Sequence, residues 1–273
     1  TRGLPRLGLE LTQRALAQPA AQQRNLARCR GLFDAGALNY FMGQYAAARS
    51  SLEASLEIAT ELGDARWMAG VLQLLGMACL GADDDAAASR HLEQGLRLAE
   101  RQQEPREIAA ACNPLAQLHR LRGRRELAAP LYARMVELSR GLQDRELSSI
   151  GLLNLAMLCV DAADAAQARG LLREVFEIGD ALASVPIRQC GLDVAAALAA
   201  SQGDWPLAAH SFAAAQAQVA RSGLERDPTD AAFVQRWLAQ ARGALGEAAF
   251  AERSAEGTAT PFDEAVRTLR RWL

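Results

Sequence analysis

Lysine is absent from this sequence, and all 30 basic residues are arginine. A Walker A loop needs a lysine that reaches the β- and γ-phosphates of a nucleotide, so this chain cannot contain one. A lysine Schiff base is excluded for the same reason. The formal net charge is −2, and no apolar run approaches the roughly 18 to 20 residues that span a bilayer. We therefore predict no direct nucleic-acid contact and no membrane segment, and we expect a cytoplasmic chain.

Cysteine and histidine are scarce and scattered. The five cysteines form no CxxC pair, and their odd number and wide spacing argue against a disulfide framework or a zinc site. Cys112 and His119 are two helical turns apart, about 10 Å along a helix, which is too far for direct proton transfer. We predict buried, reduced thiols, no catalytic residue, no metal site and no cofactor.

Two charged runs resemble binding sites at first sight. The aspartates at 83–85 lack the alternating spacing of a calcium loop, so we interpret them as a solvated turn and helix N-cap. The densest basic cluster consists of Arg120, Arg122, Arg124 and Arg125. A phosphate or an acidic partner could pair with these arginines. We favour an exposed turn balanced by Glu126.

A period of forty residues runs through most of the chain. Small residues form one register, at Gly36, Gly76, Ala116, Ala156 and Ala196. A second register holds only alanine, at Ala48, Ala88, Ala128, Ala168 and Ala208. Within each unit the apolar residues follow a helical period, and a short polar break separates two helices. We predict five helical hairpins in which these small residues let two backbones approach closely.

This pattern resembles the tetratricopeptide repeat in a longer, forty-residue form. The resemblance implies an all-α helical-hairpin solenoid, coiled as a right-handed superhelix with a concave groove. The predicted divisions are an N-terminal half-repeat or cap at 1–24, repeats at 25–64, 65–104, 105–144, 145–184 and 185–222, and a C-terminal helical cap at 223–273. The cap breaks the period, and we predict helices in it at about 229–243, 246–254 and from 261.

In tetratricopeptide arrays the first helix of each hairpin lines the groove, and this implies a set of ligand-facing residues here. They are Arg30, Phe33, Tyr40, Gln73, Met77, Asn113, Gln117, Arg120, Leu153, Met157 and Asp193. Amide side chains suit a peptide backbone, and methionine and phenylalanine suit its apolar side chains. We predict a protein or peptide segment, or a small effector, as the partner. The alternative is that some of these side chains pack against neighbouring helices.

The tail "ARGALGEAAFAERSAEGTATPFDEAV" (241–266) is similar to the C-terminal ending of certain bacterial transcriptional regulators. Those proteins combine a winged-helix or helix-turn-helix domain, a signal-transducing NTPase and a tetratricopeptide-like sensor array. The resemblance implies a non-catalytic sensor module whose NTPase and DNA-binding domains lie upstream in the same polypeptide. A first residue of Thr1 without an initiator methionine agrees with a fragment or processed product. The alternative is a free-standing adaptor that scaffolds a complex or self-associates as a homo-oligomer.

Overall fold

The computed structural model describes residues 3–223 and 226–273, and every regular element in those ranges is helical. Residues 1, 2, 224 and 225, which belong to the predicted caps, lie outside the described residues. The chain forms two compact units, Thr1–Leu138 and Ser139–Leu273. None of the helices in the described ranges is both long enough and apolar enough to cross a membrane.

The first unit begins with α1 and a short 3₁₀ helix, and α7 crosses the division between the units. Before that division lie α1 (Gly3–Ala17), the 3₁₀ helix (Pro19–Gln22), α2 (Leu26–Phe41), α3 (Tyr45–Glu61), α4 (Ala65–Gly81), α5 (Asp85–Gln102) and α6 (Pro105–Leu121). After α7 (Arg125–Gly141) come α8 (Arg145–Asp161), α9 (Ala165–Ala181), α10 (Val185–Ser201), α11 (Trp205–Ser222), α12 (Pro228–Leu245), α13 (Glu247–Ala259) and α14 (Phe262–Trp272).

The predicted fold class, an all-α helical-hairpin solenoid, is confirmed. Five successive helix pairs follow α1, namely α2 with α3, α4 with α5, α6 with α7, α8 with α9, and α10 with α11. We call the first helix of each pair the A helix and the second the B helix. The three remaining helices, α12 to α14, fall in the tail where the sequence predicts helices outside the period.

The connections between α2 and α12 share one backbone conformation at a spacing of twenty residues. One residue in each has a left-handed φ, at Gly43, Gly63, Asp83, Gln103, Gly123, Gln143, Ala163, Ala183, Gly203 and Gly223. This conformation ends a helix by satisfying its last carbonyl groups. In several connections the next residue caps the following helix, as Asp64 does by accepting a hydrogen bond from the Trp67 backbone N–H at 2.9 Å. The forty-residue period is therefore two helix-and-turn units of twenty residues each.

Close helix approach inside the first two hairpins requires glycine. A Cβ atom placed on Gly36 would lie 2.6 Å from Leu52 Cγ, and one on Gly76 would lie 2.6 Å from Leu92 Cδ2. Both leucines are completely buried, so neither has free space to move into. All ten residues of the two small-residue registers are buried.

The tail packs on the second unit through one very close backbone contact. Helix α13 runs along α11, and Gly257 faces the backbone of His210. His210 Nε2 and Thr260 Oγ1 are 3.0 Å apart, which joins the same two regions by a hydrogen bond. On α14, the buried side chains Phe262 and Leu269 supply the apolar face that docks it onto the unit.

Candidate functional site

In the first unit, two predicted groove residues of α2 lie against a tryptophan of α4. The rings of Phe33 and Trp67 meet edge to face with centroids 5.4 Å apart. The Arg30 guanidinium lies over the same indole ring, 5.4 Å from its centroid. Aromatic and cation–π contacts of this kind hold two side chains in fixed relative positions. Trp67 was not among the predicted groove residues, because it precedes the repeat positions that the family pattern assigns to the groove.

Tyr40 lies deeper than the other aromatic residue predicted for the groove. Only 3 % of its surface is exposed, and it belongs to the hydrophobic core of the first unit. Its ring lies 5.3 Å from the ring of Phe41 and 5.9 Å from that of Tyr45. In this structure Tyr40 packs between helices, which is the alternative that the sequence left open for part of the set.

Helices α4 and α6 carry the polar centre of the predicted groove. Gln73 and Asn113 occupy equivalent positions, one repeat apart, and both are half-buried. One helical turn further on are Met77 and Gln117, and Arg120 follows on α6; all three are buried. Polar side chains rarely lie at such depth without a structural or binding role.

In the second unit, the predicted groove residues Leu153 and Met157 are buried on α8. Asp193, on α10, is also buried and is already paired. Arg226 donates to both of its carboxylate oxygens, from Nε at 2.7 Å and from Nη2 at 2.8 Å. The Arg226 side chain is 11 % exposed and that of Asp193 4 % exposed, so the pair is shielded from water. The ligand-contact role of all eleven predicted groove residues stays a prediction.

The charges of the Asp193–Arg226 pair depend on each other. Burial disfavours the charge of Arg226, but hydrogen bonding and attraction to Asp193 outweigh burial and raise the pKa of the guanidinium. Burial raises the pKa of the Asp193 carboxyl, and the two hydrogen bonds from Arg226 act in the opposite direction. The paired, two-bond geometry is that of an ionised carboxylate with a guanidinium, and we assign both groups as charged at neutral pH.

The two charged runs noted in the sequence neutralise each other across neighbouring hairpins. Arg122 donates to Asp85 and lies 3.7 Å from Asp83. Asp84 accepts a hydrogen bond from the Ala87 backbone N–H at 3.0 Å, so it caps α5 as predicted. These contacts assign a structural role to most of the acidic run and to one arginine of the basic cluster.

Burial shifts the titration of the thiol and imidazole groups away from reactive forms. It raises the pKa of the Cys112 thiol to about 11 and that of Cys190 to about 12. Burial also lowers the pKa of His91, His119 and His210. These thiols are therefore protonated and the imidazoles mostly neutral at pH 7. Within the described residues, no three His, Cys, Asp or Glu side chains are grouped as metal ligands.

Among the cavities in the described part of the chain, two lie away from the predicted groove residues and between helices of the array. One of about 530 Å³ in the second unit is lined by residues at the end of α7, the start of α8 and the end of α9, among them Arg140, Ser148 and Glu177. The other, of about 580 Å³ in the first unit, is bordered by Glu57 of α3 and His91 of α5.

Comparison with known proteins supports the tetratricopeptide-like fold. Residues 24–101 match the tetratricopeptide repeat family. A search of curated protein sequences finds no match. The family match covers the first two hairpins, and the other three hairpins have the same helix lengths and turns.

Several solved structures share the fold. BtubC (BKLC) from P. vanneervenii is 17 % identical, with a TM-score of 0.58 over 88 % of this chain and 89 % of its own. A Rap protein complexed with competence and sporulation factor is 14 % identical, with a TM-score of 0.61 over 92 % of this chain and 72 % of its own. Aspartyl phosphate phosphatase F from Bacillus subtilis is 11 % identical, with a TM-score of 0.59 over 90 % of this chain and 60 % of its own. At these identities the likeness concerns the fold alone.

Proposed function

We propose that the chain is a non-catalytic module that binds a protein or peptide segment along its A helices. The observation that carries this proposal is the set of polar and apolar side chains repeated on α4 and α6. Gln73 and Asn113 hold equivalent positions, and Met77 and Gln117 hold the next equivalent pair. Amides can pair with a peptide backbone while the thioether adapts to apolar side chains.

We further propose that the module is the sensor of a bacterial transcriptional regulator. The support is the tail at 241–266, which resembles the ending of such regulators. In this scheme a bound segment or small effector favours one packing of the hairpins, and the upstream NTPase and DNA-binding domains respond to that population shift. The protein is then a cytoplasmic one. The Rap protein, a structural relative in fold, is solved with competence and sporulation factor bound, so this fold is compatible with ligand binding.

A free-standing adaptor that scaffolds a complex or self-associates is the second candidate. The fold supports it equally, because hairpin arrays offer long surfaces for protein contacts. Determining the reading frame upstream of Thr1 separates the two. A P-loop and a DNA-binding helical segment there would support the regulator, and a start codon directly upstream would leave the adaptor.

Binding itself is tested with a display library of random twelve-residue peptides, panned against the chain. We expect enriched peptides whose affinity falls at least about tenfold in the variant Gln73→Ala/Gln117→Ala, since a peptide–amide hydrogen bond contributes about 1 kcal/mol. The matched control is Gln94→Ala, an exposed glutamine on the B helix α5. Equal loss in both variants, or no enriched peptide, would contradict binding at the A helices.

A further inference from the structure

The chain leaves the repeat pattern directly after the fifth hairpin. In the earlier hairpins the next A helix packs on the preceding B helix, as α4 does on α3 and α10 does on α9. After α11 that place is taken by α13, with Gly257 against the His210 backbone. Helix α12 instead lies against both helices of the last hairpin, α10 and α11. The A helices α4 and α10 also contact both helices of the hairpin before them, so what distinguishes the end of the array is that α13 makes the close backbone contact with α11.

Charged contacts hold α12 just before its start and near its middle. Before that start, Arg226 donates two hydrogen bonds to Asp193 of α10 and a third, from Nη1, to Gln216 of α11 at 2.6 Å. Near the middle of α12, Arg236 pairs with Asp161 at the end of α8. The first pair is buried, whereas the second is half-exposed and contributes little to stability.

Apolar side chains fill the space between the two ion pairs. Phe233 and Val234, on the first half of α12, are both buried. The buried part of the segment thus consists of Arg226, which precedes the helix, and of Phe233 and Val234 on it.

The surface covered by this segment is the one that the sequence assigns to the ligand. Asp193 is the groove residue predicted for the fifth hairpin, and Arg226 occupies it. The fifth hairpin thus holds a segment of its own chain where the other A helices would receive a partner.

We propose that residues 226–237 are a displaceable internal ligand of the second unit. The partner that replaces them is a helical protein segment that brings an arginine to Asp193 and two adjacent apolar residues to the places of Phe233 and Val234. This inference rests on the proposed function, because it assumes that partners bind along the A helices.

The chemistry of the buried pair explains why the partner needs a guanidinium. A buried carboxylate left without its cation is strongly destabilising, so the state without Arg226 is rare until another cation takes its place. A ligand arginine restores the same two hydrogen bonds, and the exchange then conserves the number of paired charges. Because the internal segment is tethered, it binds its site at a high effective concentration. A separate partner must have enough affinity and concentration to compete with it.

Hydrogen–deuterium exchange of the whole chain tests displaceability without any ligand. We expect α12 amides to exchange at least about tenfold faster than those of α10 and α11, because a displaceable segment opens without unfolding its support. Arg226→Gln should accelerate α12 by a further factor of about ten or more and accelerate α10, which carries the unpaired Asp193, by a smaller factor. Arg226→Lys, which keeps the charge but loses the two-bond geometry, should give an intermediate rate. Arg253→Gln, in an exposed pair within α13, is the control and should change neither helix.

Partner chemistry is tested with a synthetic peptide of residues 226–241, "RDPTDAAFVQRWLAQA". It should bind the Arg226→Gln chain at least about tenfold more tightly than the wild-type chain, whose site is filled. The same peptide carrying Arg226→Glu should not bind. If the two peptides bind the Arg226→Gln chain equally well, or if neither peptide binds it, the assigned partner chemistry is overturned.

Equal exchange rates in α10, α11 and α12 of the wild type would overturn displaceability. So would an Arg226→Gln variant in which all three helices accelerate together, since the ion pair would then be part of the common core. The exchange experiment involves no partner, so it is independent of the library experiment that tests the proposed function.

Discussion

The contact between Gly257 and His210 makes one substitution unusually informative. In Gly257→Ala, the added Cβ would overlap the His210 carbonyl group and lie 2.8 Å from its carbonyl carbon and 3.0 Å from its Cα. The neighbouring atoms are backbone, so no side-chain rotation can relieve the overlap. Helix α13 must move away from α11 by about 1 Å or more, and the close packing between them is lost.

The expected cost follows from two opposing terms. Alanine favours a helix by about 1 kcal/mol over glycine, and overpacking a closely packed site costs about 1–3 kcal/mol or more. Because the clash involves a rigid backbone, we expect an overpacking cost of about 3 kcal/mol, which leaves a net loss of about 2 kcal/mol in the free energy of unfolding. Urea denaturation followed by circular dichroism should show the midpoint falling by about 1 M.

Gly243→Ala is the matched control, because no atom outside its own helix lies within 4 Å of the added Cβ. This variant should gain up to about 1 kcal/mol from helix propensity alone. If Gly257→Ala is as stable as Gly243→Ala, helices α11 and α13 do not approach as closely as the Gly257–His210 contact requires.

Three further predictions concern turns, caps and titration. Ala183 has a left-handed φ of 48°, so Ala183→Gly should raise the free energy of unfolding by about 0.5–1 kcal/mol. Ala251→Gly, inside α13, should lower it by a similar amount. Urea midpoints of the two variants that shift in the same direction would contradict this. Asp64→Ala removes the cap on the Trp67 backbone N–H and should cost about 1 kcal/mol, measured as a loss of melting temperature that Asp64→Asn largely restores. Burial lowers the pKa of the three histidines in the folded chain, so near and below about pH 6.5, the ordinary histidine pKa, the unfolded chain binds more protons than the folded chain. The urea midpoint should therefore decrease as the pH is lowered from 7.5 to 5.5. A midpoint that stays constant or rises over this range would refute the assigned burial.

The equivalent positions of two predicted groove residues could be recognised from the sequence because repeat positions recur. Gln73 and Asn113 lie one period apart, and the period alone places them on equivalent A helices. How deeply each of these side chains is buried could not be predicted from the repeat spacing. Tyr40 is a residue type suited to ligand contact, but the rings of Phe41 and Tyr45 lie against it and it belongs to the core. Whether an aromatic side chain faces a groove or a neighbouring helix depends on side chains that come from other elements.

The sequence by itself determined the hairpin architecture of this protein. A spacing of forty residues, small residues in two registers and polar breaks are local signals, because helix formation and close backbone approach depend on residues that recur at fixed intervals. It did not reveal the twenty-residue spacing of left-handed residues, since alanine, glutamine and aspartate occupy half of those positions and only the backbone shows their common conformation.

Only the tertiary structure decided how the tail packs and what covers the fifth hairpin. The contacts of Gly257 with His210 and of Arg226 with Asp193 join residues outside the repeat to residues within it. No spacing rule links such positions, because one partner of each pair lies where the period has ended. Their pairing follows from packing and from the need of a buried charge for an opposite one, and both are properties of the folded chain.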